Sequence, residues 1–400
     1  MSTEHQLKVI EEKGVNHLER IGWYLTFALT PFGQTYPGLL ALLISNIKTI
    51  FTQKEQKKEQ LPPLVKRTNN LFLSLLIFMY VSGLFSQTCL ESLLFAFAFT
   101  LLFYFFYFGG QRIAYNNQNL IDKSLFLLFI GGSVASLAAL IRFCTTNFSR
   151  ATLFEGPNSL GTSIIMYTGI TVGYLFSKGK PYRNFILPFL LLSTAAVLAT
   201  QSRGAWLGFA GMLFSLMIFN RNPKLTLAIL IIVLIAGLVV MINPTFQERF
   251  FSIFSLEKGG NMSRIHIWQA SLEMIKDHPV FGLGLGVFPF AFPAYDPADV
   301  EPERTFAYAH NLFLQIAAEL GVIGFTIFFL ALAAVFYMAF SLAKSGNYLY
   351  QGLFASLVGV LIHQQVDIPI WKMHIGISFW LFIGMVVGFY HLKENSHKSQ

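Results

Sequence analysis

Leu93-Leu94-Phe95-Ala96-Phe97-Ala98-Phe99-Thr100-Leu101-Leu102-Phe103-Tyr104-Phe105-Phe106-Tyr107-Phe108 is apolar at almost every position and carries no polar stripe. A helix in water keeps one face polar, so a segment that is apolar all round meets lipid or is buried on every side. Apolar runs close to the ~20 residues needed to cross a bilayer recur near 70–86, 90–109, 121–142, 158–177, 184–200, 204–220, 224–242, 311–340, 349–366 and 373–391. Residues 21–51 are too long for one ordinary span and are interrupted by Pro31 and Pro37, which predicts a hairpin of two short helices. A single kinked helix is the alternative, and it would put the N-terminus on the other side. The chain is thus expected to be all-α, a polytopic transmembrane helix bundle of about 12 spans.

Composition agrees. Hydrophobic residues make up 54% and charged residues 12% of the 400, and Phe alone supplies 43. The net charge of +8 could suggest nucleic acid, but the basic residues sit in short clusters between the apolar runs, and orientation in a bilayer explains them better. With the hairpin in place, Lys and Arg divide 19 to 9 between the two sides and Asp and Glu divide 8 to 12, giving net charges of +11 and −3. The positive-inside rule makes the first side cytoplasmic. Residues 243–310 then form one large extracytoplasmic loop on the outer face of the cytoplasmic (inner) membrane. Cys89 and Cys144 are too few for a disulfide framework or a zinc site, a single bridge being the most they could form. No cleavable signal peptide is visible. Residues 1–20 are expected to be a cytoplasmic N-terminal segment, 21–150 a set of N-terminal transmembrane helices, 151–391 a second membrane region containing the outer loop, and 392–400 a cytoplasmic tail, disorder beginning near His391.

Within the outer loop, Phe246–Leu256 and Ser263–Lys276 have helical spacing, the second with Ile265, Trp268, Leu272 and Ile275 at intervals of three and four. Phe281-Gly282-Leu283-Gly284-Leu285-Gly286 follows. No strand precedes it and no helical pattern opens from it, so it is not a nucleotide loop; its glycines should let the backbone turn close to a ligand or membrane. Asp296, Asp299, Glu301 and Glu303 lie among prolines with no EF-hand pattern, which favours a solvated acidic loop over a divalent-ion site.

Basic residues are scarce on the outer side, so each asks for a reason. Arg203, in Gln201-Ser202-Arg203-Gly204-Ala205-Trp206, occupies a tight turn between two spans. It is either a guanidinium fork for a phosphate or diphosphate headgroup or a snorkelling interfacial anchor. Arg264, in Ser263-Arg264-Ile265-His266-Ile267-Trp268, is either the second jaw of a diphosphate clamp or a cation stacked on Trp268. His310 stands just before a span in Ala309-His310-Asn311-Leu312-Phe313-Leu314-Gln315, where the positive end of the helix dipole should keep the imidazole neutral and competent as a general base; a structural histidine is the alternative. Helical spacing aligns Asn311, Gln315 and Glu319 on one face, and a carboxylate inside a membrane helix is a functional candidate. At the next outer corner, His363, Asp367, Lys372 and His374 either supply an acid that orients His310 or simply ring a wet mouth.

Three blocks resemble the O-antigen ligase and polymerase superfamily of membrane glycosyltransferases. They are Ser202-Arg203-Gly204-Ala205-Trp206; Ser263-Arg264-Ile265 with Trp268 and His278-Pro279-Val280-Phe281-Gly282-Leu283-Gly284; and His310-Asn311-Leu312-Phe313-Leu314-Gln315 followed by Glu319-Leu320-Gly321-Val322-Ile323-Gly324. Their order matches the family over roughly residues 150–390, and residues 1–150 are similar only in spanning a membrane. The resemblance implies a GT-C-like bundle in which 151–391 is the ligase-like domain. It implies transfer of a glycan from an undecaprenyl-diphosphate carrier to an acceptor hydroxyl, with Arg203 and Arg264 on the lipid diphosphate and His310 as base. It implies no cofactor, nucleotide sugar or metal. Ligase and repeat-unit polymerase share this chemistry and stay open, as does a lipid-linked glycan transporter, which would be expected to show internal repeats and broken helices around a midplane site.

Overall fold

A computed structural model describes residues 15–52, 61–153, 156–255, 261–295 and 308–398. The acidic stretch Asp296–Glu303 and most of the N-terminal segment lie outside them. The described residues build an all-helical membrane protein. The expected hairpin is present as α1 (His17–Leu29) and α2 (Tyr36–Thr52), joined through a 3-10 turn, Thr30–Phe32, that Gly33 closes at φ 69°. Gly22 faces Leu42 and Gly38 faces Thr26, so the two helices run antiparallel at close range. Next come α3 (Pro63–Leu84) and α4 (Cys89–Phe103), which passes through a π-helical turn, Tyr104–Phe108, into α5 (Gly109–Asn116). The run Leu93–Phe108 therefore lies in one continuous helix from Cys89 to Asn116, whose outward side chains include Phe95, Phe97, Leu101 and Tyr104.

After α6 (Gln118–Thr145), α7 (Pro157–Ser177) is buried on every side from Ser159 to Phe176 and forms the axis of the bundle. Around it come the short α8 (Lys180–Arg183), α9 (Ile186–Ala199), α10 (Arg203–Phe219), α11 (Pro223–Ile242), α15 (Leu312–Ala343), α16 (Tyr348–His363) and α17 (Met373–Lys398), with α12 (Pro244–Phe251), α13 (Asn261–Asp277) and α14 (Phe288–Tyr295) in the long loop. α16 crosses α7 and α10 at glycine contacts: a Cβ on Gly352 would fall 2.3 Å from the Gly169 carbonyl, and one on Gly359 2.6 Å from that of Gly208. Small residues at such crossings let backbones approach where lipid offers no hydrophobic drive. α11 does the opposite, presenting Leu227, Leu230, Ile231, Leu234, Leu238 and Ile242 outward, as a lipid-facing helix must.

Among the described residues, seven helices are long and apolar enough to cross a membrane, and three apolar helices are shorter, α10 and α16 among them. The chain is a multi-pass membrane protein. Cys89 and Cys144 are free thiols. The tail differs from expectation: α17 continues helical through Lys398, past the point where the polar sequence suggested disorder. Neighbouring Tyr115 supplies the reason, since its ring stacks on His391 at 4.0 Å and its hydroxyl accepts from Asn395.

A second, smaller core lies under the loop, where Ile267, Ala270 and Met274 of α13 meet Phe288, Phe292, Ala309 and Ala318. The glycine turn has its own destination. Gly282, Gly284 and Gly286 all have positive φ, and α15 is broken at Gly321 (φ 60°, ψ −171°). Leu283 and Gly284 donate to the Ala318 and Glu319 carbonyls, and Val322 donates to Pro279. The close approach that Gly282 permits is thus to the broken helix, while a Cβ on Gly284 would meet Ser86 and Ser92 and one on Gly286 would meet Phe95. α15 is a broken helix that the sequence did not reveal, and its break is filled by the chain's own loop.

Candidate active site

Ser202 caps α10, its hydroxyl accepting from Ala205 N at 3.3 Å, which leaves Arg203 as the first residue of that helix. The end of α9 presents carbonyls that no further helical turn can satisfy. Guanidiniums take two of them: Arg150 Nε donates to the Thr200 carbonyl at 3.1 Å and Arg249 Nε to that of Gln201 at 2.8 Å. Arg203 Nη1 donates to the Ser252 carbonyl at 2.8 Å. Each guanidinium carries five donors, so anchoring one or two leaves others for the space between them.

That space is a cavity of about 260 Å³ lined by Arg150, Arg203, Arg249 and Arg264, together with Asn158, Ser202, Gly204, His310, His363 and Asp367. Four guanidiniums face one carboxylate, a formal excess of three positive charges. Burial, then the charge of Arg249, brings the Arg150 guanidinium down to about 10 despite the nearby Asp367. Burial and Arg264 likewise lower Arg249. Such mutual repulsion among partly buried cations would be relieved by an anion.

His310 is held outside its helix at φ 52°, a left-handed conformation that costs roughly 1–2 kcal/mol for such a residue. Its neighbours enforce the conformation. Ala309 N donates to Gln315 Oε1 at 2.7 Å and the Trp268 indole donates to the Ala309 carbonyl at 3.1 Å. Asn311 caps α15 through Phe313 N and Leu314 N and donates from Nδ2 to the Gln365 carbonyl at 3.0 Å. These contacts bring the His310 ring to Asp367, whose Oδ1 is 3.0 Å from Nδ1. With that nitrogen donating to the carboxylate, Nε2 is the ring nitrogen left to accept a proton.

Asp367 is itself built in. Ile368 N donates to its Oδ1 at 2.9 Å, Asn158 donates to Oδ2, and Arg264 Nη2 lies 4.0 Å from Oδ2. Burial alone would raise this carboxyl, but the hydrogen bond and charge of His310, with His363 and Arg264 adding, hold it down at about 2. His363 is fully buried, with Nδ1 2.9 Å from the Thr162 hydroxyl and no hydrogen-bond partner on Nε2. Its ring and the Val366 side chain occupy the space where a side chain on residue 204 would stand, since a Cβ there would lie 2.7 Å from His363 Cδ2 and 2.5 Å from Val366 Cγ2. This explains the glycine after Arg203.

Arg203, Arg264, His310, His363, Asp367 and Ser202 are therefore gathered in one cavity, and Asp367 is the acid beside His310. Gln315 and Glu319 are not among its lining: Gln315 braces Ala309, and Glu319 accepts from Phe288 N at 3.2 Å and lines a different cavity, as do Lys372 and His374. Asn311 acts as cap and tether. Trp268 takes the Ala309 carbonyl, which places it in service of His310. Sequence reasoning missed Arg150, Arg249, Asn158 and Thr162. The rarity of outer basic residues, applied to Arg203 and Arg264, pointed equally to Arg150 and Arg249.

Residues 188–329 match the family described as O-antigen ligase. The chain is 24% identical over 300 residues to the ComP-specific O-oligosaccharyltransferase of Acinetobacter baylyi, a match covering 70% of this chain and 54% of that protein, so the chain spans about half its length. It is also 24% identical over 289 residues to an uncharacterized protein of Haemophilus influenzae, covering 60% of this chain and 71% of the other. The family match contains Arg203, Arg249, Arg264 and His310 and agrees with the resemblance read from the sequence.

Proposed function

We propose that the chain is a membrane glycosyltransferase that takes an oligo- or polysaccharide from an undecaprenyl-diphosphate carrier and transfers it to an acceptor hydroxyl on the outer face of the cytoplasmic membrane. The observation that carries this is the meeting of Arg203, Arg264 and His310 in one cavity with a cationic excess. A diphosphate is the anion that such a small, densely cationic space suits. Guanidiniums bind its oxygens in a bidentate manner, and four of them supply the charge stabilisation without recourse to a metal.

In the proposed reaction the acceptor oxygen attacks the anomeric carbon as the bond from that carbon to the diphosphate oxygen breaks. The hydroxyl proton passes to His310 Nε2, and undecaprenyl diphosphate leaves with inversion at the sugar. Negative charge grows on the leaving group, so Arg150, Arg203, Arg249 and Arg264 bind the transition state better than the ground state. Asp367, accepting from Nδ1, holds the ring in position and stabilises the imidazolium that forms.

Ligation of a finished chain and polymerisation of repeats differ only in the acceptor. The relative named as acting on ComP makes a protein hydroxyl one acceptor to try. The test uses purified full-length protein with lipid-linked glycan, alone and with added acceptors, and follows release of undecaprenyl diphosphate. Longer chains from donor alone support a polymerase; product only with a separate acceptor supports a ligase. Transport of intact donor across vesicles with no diphosphate release would refute both.

A further inference from the structure

The end of the bundle away from the arginine cluster holds another cavity, of about 600 Å³. α7 starts beside the arginine cavity, which Asn158 lines, and its 21 residues rise about 32 Å to Ser177. α9 returns toward Thr200, and α10 leaves again from Arg203. The segments before α9 and before α11 therefore meet at the far end, and the cavity lies between them. Arg183 and Lys224 line it together with Phe176, Leu187, Leu225 and Ala228.

Both charge and apolar surface point to its occupant. Among the described lining residues there are two cations and no carboxylate. Asp122, at the same end, pairs with Lys178 instead. Arg183 is laid over the Phe176 ring, its guanidinium carbon 4.3 Å from the centroid. Such stacking holds the guanidinium by its face and leaves its N–H edge for an acceptor. One turn deeper than Leu187 and Ala228, Leu191 and Ile231 are exposed, so an apolar track runs from the cavity along α9 and α11. A soluble anion would satisfy the cations but leave this carbon surface wet. An acyl chain alone would leave the cations without a counter-charge. A phosphodiester carrying acyl chains answers both.

The charge division read from the sequence assigns this end to the cytoplasmic leaflet, since the two segments carry Lys178, Lys180 and Arg183 and then Arg221 and Lys224. Anionic lipids of that leaflet attract basic pockets between spans. We infer that the cavity is a binding site for an anionic phospholipid, its phosphate held by Arg183 and Lys224 and an acyl chain lying along Leu187 and Leu191 of α9 and Ala228 and Ile231 of α11. The lipid ties the ends of α7, α9 and α11 together on the side remote from His310. It is not the polyprenyl substrate, and the inference does not depend on the proposed reaction.

The test uses full-length protein in an uncharged detergent, with phosphatidylglycerol as probe and phosphatidylcholine as zwitterionic control, and counts retained lipids by native mass spectrometry. Saturable retention of phosphatidylglycerol above that of phosphatidylcholine is expected, and it should persist in Arg203→Ala, which removes a cation of the other cavity. Arg183→Gln combined with Lys224→Gln should weaken it roughly ten-fold or more. Ala228→Phe, which fills the apolar wall and keeps both charges, should weaken it as well. Arg221→Gln, which removes a nearby charge outside the lining, should not. Loss in only one of the first two variants, or in neither, overturns the inference, as does equal retention of phosphatidylcholine. Competition by glycerol 3-phosphate at the concentration of the lipid identifies a soluble anion as occupant and overturns it too. Transfer activity enters none of these readings, so failure here leaves the proposed function standing, and failure of transfer leaves this site standing.

Discussion

Asp367→Asn isolates the acid beside His310 with little change of shape. The carboxylate accepts from His310 Nδ1 at 3.0 Å, and a hydrogen bond to a charged group is worth about 1.5–3 kcal/mol. If it strengthens as the ring takes the acceptor proton, losing it lowers kcat by roughly 10- to 150-fold. An amide nitrogen turned toward Nδ1 would add to the loss by reversing the tautomer. Substrate binding should move the other way. Removing the one carboxylate raises the cationic excess in the cavity, so donor KM should hold or fall. The pH dependence follows from the carboxyl's position. At about 2 in the fold, against an ordinary 3.8, it is ionised throughout the neutral range and gives the rate profile no limb there. Its contribution to stability, on the order of 2 kcal/mol, is present above pH 4 and is lost as pH falls through about 2. Thermal unfolding of the unaltered protein and of Asp367→Asn should therefore differ at pH 7 and converge toward pH 2. Steady-state kinetics on lipid-linked glycan decides the rest. A kcat within about three-fold of the unaltered enzyme, or a loss confined to KM, would refute the positioning role.

Arg203→Ala and Arg264→Ala should each lower the rate by about 10²–10³-fold, the usual loss for a preorganised donor to a developing anion, and Arg150→Ala and Arg249→Ala should fall in the same direction in the same assay. Inorganic pyrophosphate should raise the melting temperature of the unaltered protein, because it relieves repulsion among four guanidiniums that share one carboxylate, and the rise should shrink in Arg249→Ala. Gly321→Ala should lower the melting temperature, since φ is 60° and the new Cβ would sit 2.3 Å from the Val280 carbonyl. Gly204→Ala should leave the fold standing but lower turnover, as its Cβ would press on Val366 and on the His363 ring, both in the cavity wall.

The membrane bundle was legible because apolar runs long enough to span a bilayer can hardly be anything else. The helical hairpin followed from Pro31 and Pro37. Arg203, Arg264 and His310 were legible for a different reason: in a chain this apolar, a cation or imidazole at a span's end stands out against its background. Gln315 and Glu319 show where that logic fails. Helical spacing put them on one face with Asn311, as the structure does, but spacing along α15 says nothing about which loop packs on that face. Arg150 escaped because its neighbours, Ser149 and Ala151, form no distinctive block, and its meaning arises only where Thr200, Asn158 and Asp367 arrive from far along the chain.

The break at Gly321 ties these strands together. A straight α15 would keep its backbone groups to itself, whereas the break gives Ala318 and Glu319 carbonyls to Leu283 and Gly284 and lets Val322 reach Pro279. The glycine turn is thereby fixed, and it connects α13, which bears Arg264 and Trp268, to Phe288 at the start of α14. Trp268 then holds Ala309, one residue before His310. The arginine on the loop and the histidine at the helix end thus owe their meeting to a break in the helix that follows the histidine. A substitution that straightens α15 should disperse Arg264 and His310 together, even though Gly321 touches neither cavity.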